Sequence, residues 1–152
     1  MIKFDTREIE LLARRLNNGA ALRPSDRVQL LKNLGAEIED QTRERFATKE
    51  SPDSEPWADL KPSTIENYTK RKFSGNTLLF LSGQLHNTIE SQVQNQWSVL
   101  AGATEEYAAV HQWGWEARGI DARPYLGVGP NDEQALAGIV TTFIQGLMAR
   151  PA

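Results

Sequence analysis

The chain has 152 residues, 39% of them apolar, and a formal net charge of −3, which suits one globular domain and sets it against a dedicated nucleic-acid binder, since phosphate neutralisation calls for a basic excess. It has no cysteine, so structural disulfides and thiolate metal sites are excluded, and the composition fits a reducing cytoplasm. The opening MIKFDTREIE is charged where a leader would be apolar, and the longest apolar run, LLFL, falls far short of the roughly 20 residues a membrane helix needs; a soluble intracellular domain is expected.

In chain order, the first 50 residues read as helix. In DTREIELLARRLNN, Ile9, Leu12 and Leu16 recur at helical spacing, Asp5 can cap the start, and Asn17-Asn18-Gly19 supplies a stop. A longer helix follows, capped by Ser25 or Asp26 and leading to Phe46. Val28, Leu31, Gly35, Ile38 and Thr42 form its inner stripe, widened by Leu30 and Leu34; Glu37, Glu39, Asp40, Arg43, Glu44 and Arg45 are assigned to its wet face. Residues 48–61, rich in Pro, Ser and acids around Trp57, read as a mobile loop. Pro62 with Ser63 or Thr64 opens a short helix, STIENYTKRK, that ends on Lys70, Arg71 and Lys72.

After a break at Ser82-Gly83, TIESQVQ and WSVLAGA alternate apolar and polar residues about Asn95-Gln96, which predicts a β-hairpin. EEYAAVHQWG reads as a helical turn ended by Gly114, with Val110 and Trp113 covering the sheet and a second mobile segment at 115–122. ARPYLGVG reads as a strand with Pro124 near its start or on an edge. In NDEQALAGIVTTFIQGLMAR, a capped amphipathic helix, Leu136, Ile139, Val140, Phe143, Ile144 and Leu147 face inward. The order predicts a single α+β domain over 1–152: N-terminal helices, a small antiparallel sheet with a hairpin, and a C-terminal amphipathic helix packed on the sheet.

Catalytic and ligand-binding patterns are sparse. His86 and His111 stand 25 residues apart and outside any H-E-x-x-H spacing, so no metal site is expected. LSGQL is not a nucleophile elbow. GVGPNDEQAL superficially resembles a phosphate loop, but it lacks the third Gly, Pro130 removes a donor, and Asp132 and Glu133 would repel phosphate. The acids Glu37, Glu39, Asp40 and Glu44 read as a solvated helix face. YTKRKF sets Lys70, Arg71 and Lys72 between aromatics, as single-stranded nucleic acid would require; a solvated helix end is the simpler reading. The stock of large aromatics in apparent loops, Trp57 and Trp115 above all, points instead to interface anchors.

The order of short motifs from Phe46 onward resembles the phage virion morphogenesis family of Mu-like and related contractile-tailed phages. A Pro-Asp-Gly-x-x-Trp loop falls on Pro52, Asp53 and Trp57, with Ser54 in place of Gly. Leu60 and Thr64 follow, then Leu81, Gly83 and Leu85. Tyr107, Ala108, His111, Gln112 and Gly114 match a Tyr-Ala-x-x-His-Gln-x-Gly piece, and Ala122, Arg123, Pro124, Tyr125, Leu126 and Gly127 match an Ala-Arg-Pro-Phe/Tyr-Leu-Gly segment. Trp113 and Trp115 flank Gly114 where Phe is usual.

The resemblance implies a non-enzymatic structural protein of tail completion or head–tail joining, with no cofactor and no metal. It would act in the bacterial host cytoplasm during assembly and could remain in the virion tail or neck. Its partners would be its own copies, as a homo-oligomer or closed ring, and tail-tube or head–tail connector proteins. Tyr107, His111, Gly114, Arg123 and Pro124 would then be scaffold, Arg123 bonding to carbonyls or carboxylates of a neighbouring loop. Trp57 and Trp115 would be contacts, strand edges could pair across subunits, and Lys70, Arg71 and Lys72 support the alternative of a DNA-end contact module.

Overall fold

A computed structural model of the chain describes residues 2–5 (backbone only), 22–72, 78–79 and 81–149. In order these carry β1 (Ile2–Asp5), α1 (Pro24–Thr48), α2 (Pro62–Lys70), α3 (Gln84–Asn87), β2 (Ile89–Asn95), β3 (Ser98–Ala103), α4 (Ala108–Trp113), a 3₁₀ turn (Glu116–Arg118) and α5 (Pro130–Met148). Among the described residues the three longest helices each open on a proline, whose missing N–H costs nothing in the first turn and whose φ is preset for helix. Proline therefore starts α1 one residue before the expected caps Ser25 and Asp26.

The sheet is antiparallel in the order β1-β3-β2. Ile89 lies opposite Ala103, Ser91 opposite Ala101 and Val93 opposite Val99, with an irregularity before Asn95, so the expected hairpin is present. β1 pairs along the other side of β3, Ile2 opposite Ala101 and Phe4 opposite Val99. This strand corrects the all-helical reading of the first 50 residues; four residues are too few to display a period. The helix expected over DTREIELLARRLNN lies, beyond Asp5, outside the described residues.

α1 lies on one face of the sheet and alongside α5. Leu30, Leu34 and Ile38 join Ala101 of β3 and Leu136 of α5 in one apolar cluster, with Val128, Ile139, Val140 and Phe143 packed at its margin. Phe46, Trp57, Leu78, Leu85, Ile89, Ala108 and Tyr125 form a second. Gly35 sets the helix–sheet spacing: a Cβ there would lie 2.5 Å from Ser91 Oγ and 3.0 Å from Val99 Cγ2.

Arg45 corrects the wet-face assignment, for it is 7% exposed. It falls seven residues after Ile38, two turns along the inner stripe, where period alone puts it inside. Its guanidinium donates to the carbonyls of Tyr125 at 2.8 Å and Gly127 at 3.2 Å and pairs with Asp132. Asp132 also accepts the Gly129 N–H at 2.6 Å, capping the start of α5.

Residues 122–129 correct the strand reading of ARPYLGVG. They run without a ladder because most of their backbone bonds go to side chains, those of Arg45 and Gln112 among them. On the outer edge of β2, Glu39 Oε1 accepts the Ser91 N–H at 2.6 Å and Arg43 donates to the Ile89 carbonyl at 2.5 Å. Side chains of α1 thus occupy edge positions that strand pairing between subunits would need.

Gly35→Val should lower unfolding free energy by about 1–3 kcal/mol, through overpacking against Ser91 and Val99, read by denaturant titration. Arg45→Ala should cost about 3–5 kcal/mol, because Asp132 is left buried and uncompensated. In the same titration, Arg45→Met combined with Asp132→Ala should cost less than the two single changes added together.

Candidate assembly surface

Gly114 ends α4 at φ +75°, and a Cβ there would meet Ala122 N and Ile120 O, each at 2.9 Å. Only glycine fits both the conformation and the space. The chain then closes a small hairpin in which Trp115 and Ile120 exchange backbone bonds of 2.8 and 3.1 Å around the 3₁₀ turn. Residues 115–122, expected to be a loose loop, have this internal bonding. Lys61 reaches across from the start of α2 to the Gly119 carbonyl and lies 3.6 Å from Asp121.

Arg123 secures the hairpin's return. It is 6% exposed, its N–H donates to the His111 carbonyl at 2.8 Å, and its guanidinium donates to the carbonyls of Ala58 at 2.8 Å and Asp59 at 3.0 Å. This is the carbonyl contact to a neighbouring loop that the sequence suggested. Gln112 is also buried: its Oε1 accepts the N–H groups of Tyr125 and Leu126, and its Nε2 donates to the Leu126 carbonyl at 2.8 Å. A side-chain amide presents a donor and an acceptor together, so it mimics a strand partner. Tyr125 lies beneath, its hydroxyl 3.3 Å from the Ala108 carbonyl, and burial pushes its phenol pKa up to about 12.

Trp57 requires a correction. It was expected to stand free as an interface anchor, but it is 6% exposed, stacked edge-on against Phe46 at 5.7 Å, with Nε1 donating to the Pro124 carbonyl at 2.8 Å. An indole buried in the chain's own core has its donor and its apolar area already used. Its loop is held as well, by bonds from Trp57 N to Lys49 O and from Ser51 N to Glu55 O, both 2.8 Å. Trp113 is the opposite correction: it does not cover the sheet but stands 76% exposed. α4 turns its other side, with Ala108 and Gln112, inward.

Among the described residues the outward aromatics are therefore Trp113, Trp115 at 43% exposed with the Arg118 guanidinium 4.4 Å from its ring centre, and Tyr107. Tyr107 and His111, one helical turn apart, meet edge to face at 5.6 Å. They line a cavity of about 500 Å³ with Thr64, Tyr68, Leu85 and Arg123. His111 Nδ1 is buried there with no hydrogen-bond partner among the described residues. Burial first, and the Arg123 cation second, lower its pKa from 6.5.

The basic residues gather at the end of α2, where Lys70 pairs with Glu66 at 2.8 Å and Arg71 and Lys72 are exposed. Among the described residues no three His, Asp or Glu side chains gather as a metal would require, and no helix is long and apolar enough to cross a membrane. Arg45, Asp132 and Gln112 were missed as framework residues. Arg45 carried a legible signal in its place on the stripe, Gln112 in its motif position and Asp132 in its place at the start of the last helix; none of these signals shows that the side chain is buried.

The model of the phage virion morphogenesis family matches residues 4–145. A protein of Escherichia phage Mu, named "Putative capsid assembly protein G", is 27% identical over 145 residues, covering 89% of this chain and 87% of its own length. No solved structure matches.

His111 generates a pH prediction. Its folded pKa lies below the unfolded value of about 6.5, so its contribution to stability is present above that pH and is lost as pH falls toward the folded value. Denaturant titrations at about pH 8 and about pH 5.5 should show the wild type losing more stability on acidification than His111→Phe, which keeps a ring against Tyr107 but cannot titrate.

Proposed function

Because the chain belongs to the phage virion morphogenesis family, we propose that its part in building the virion is tail completion or head–tail joining, performed by self-assembly on the tail tube or neck. A structural role in virion assembly is what family membership supports. The finer reading rests on one observation: Trp113 and Trp115 project from a corner that Gly114, Gln112 and Arg123 hold rigid. Large rings fixed in an outward position bind at small ordering cost, and Trp and Arg are the commonest interface anchors. The partners would be neighbouring copies and tail or connector proteins, met in the host cytoplasm.

The exposed Arg71 and Lys72 favour a second reading, contact with DNA at the neck. Against it stand the net charge of −3 and the pairing of Lys70 with Glu66.

Trp113→Ala with Trp115→Ala should leave the unfolding temperature within a few degrees of wild type, because neither ring is in the core. It should weaken self-association or incorporation into tails by about thirtyfold, the effect of losing one interface anchor worth about 2 kcal/mol. Light scattering coupled to size exclusion, together with tail complementation, reads both. Wild-type assembly by the double variant would remove this corner from the interface.

A further inference from the structure

The nine-residue helix α2 has no buried residue, and its Ile65 is 51% exposed. A helix that short is marginal in water without a packed face. Its half-buried side, Thr64 and Tyr68, lines the cavity beside Leu85 and His111, and its far end faces outward. The exposed end carries Arg71 and then Lys72, which turns the backbone out of the helix at φ +60°. At this point the chain presents two adjacent cations.

A complementary surface lies elsewhere on the same chain. A depression of about 190 Å³ sits between the last turns of α1, the 50–54 loop and the start of α5, and Glu44 and Glu50 line it beside Gln41, Ser54 and Asn131. Arg45, the cation in its lining, is already paired with Asp132. The depression is therefore acidic and polar. It shares no lining residue with the cavity on which α2 borders. Two complementary surfaces at different places on one chain make a heterologous contact, the kind that propagates from copy to copy and closes into a ring when the rotation permits.

We infer that the basic end of α2, Arg71 and Lys72, docks in the Glu44–Glu50 depression of a second copy of this chain. This rests on the self-assembly reading above and specifies a surface for it separate from the Trp113–Trp115 corner. Charge complementarity of this kind steers and orients partners more than it supplies affinity. The contact is therefore salt-sensitive while the aromatic corner carries most of the binding. A second copy suits the cations better than nucleic acid does, because the same chain is acidic overall and supplies the matching carboxylates.

Charge reversal tests the pairing. One variant carries Arg71→Glu and Lys72→Glu, the other Glu44→Lys and Glu50→Lys. All four positions lie outside the buried core, and thermal unfolding of each variant checks its fold. Alone, each variant should need about tenfold more protein than wild type to reach half association in sedimentation at about 50 mM salt, a gap that narrows at about 500 mM.

Mixed in equal amounts, the two variants should associate as wild type does, since every contact in an alternating assembly is again complementary. A chain carrying all four changes should do the same. Unchanged association of the single-face variants, or no rescue in the mixture, would overturn this pairing and leave the self-assembly reading standing. A wild type that is monomeric at every concentration and also fails to assemble when mixed with tails would overturn both. Retention of duplex DNA at low salt by wild type but not by the Arg71→Glu, Lys72→Glu variant, with self-association unchanged, would assign the cations to nucleic acid.

Discussion

The ion pair between Arg45 and Asp132 is the interaction on which the rest of this structure depends. Both residues are buried, and a buried charge persists only when it is paired and its remaining hydrogen-bonding capacity is met. Arg45 meets its own with two carbonyls of the 122–129 segment, and Asp132 meets its own with the Gly129 N–H. One pair thereby joins the end of α1, the 122–129 segment and the start of α5. The 50–54 loop presses onto the same point: a Cβ on Gly129 would lie 1.7 Å from the Pro52 carbonyl oxygen, and one on Gly127 2.5 Å from the Pro52 ring. The motif residues Pro52 and Gly127 thus meet the Arg45–Asp132 pair in one packed joint.

Around that joint, side chains do work that a sheet usually does. The carbonyls of residues 124–127 and the N–H groups of Tyr125 and Leu126 are taken by Trp57, Gln112 and Arg45, and Arg123 in turn donates to the carbonyls of Ala58 and Asp59. A segment bonded in this way is as fixed as a strand but free of strand geometry. It can bend, as it does at Leu126 and Gly127, and it lies beside α4, whose Trp113 stands in solvent while Gln112 is buried. Cross-braced loops of this kind suit a binding surface, since ordering has been completed before a partner arrives.

The same residues that build the scaffold also limit how copies can meet. Glu39 and Arg43 hold outward-facing groups of β2, so strand addition at that edge would first have to break charged hydrogen bonds. That leaves projecting side chains and charged depressions as the stronger means of contact. Glu39 and Arg43 also show that an acidic helix face is not uniform: some of its carboxylates serve the fold, while Glu44 stays at the surface.

The sequence by itself determined the α+β class, the hairpin, the inner stripe of α1, the helical turn at 108–113 and the family, because period, proline placement and ordered motifs are local and survive without coordinates. It also placed Gly35 among the small positions of the stripe. Only the tertiary structure decided which polar and aromatic residues point inward. Sequence pattern reads Trp57 as an outward anchor and Trp113 as cover for the sheet, yet Trp57 closes the core and Trp113 faces solvent. The difference lies in distant partners, Phe46 and the Pro124 carbonyl, that no local pattern contains. β1, the loss of the strand expected at 122–129 and the Arg45–Asp132 pair have the same origin: each depends on groups brought together from far along the chain, and hydrogen bonding is satisfied in space rather than along the sequence.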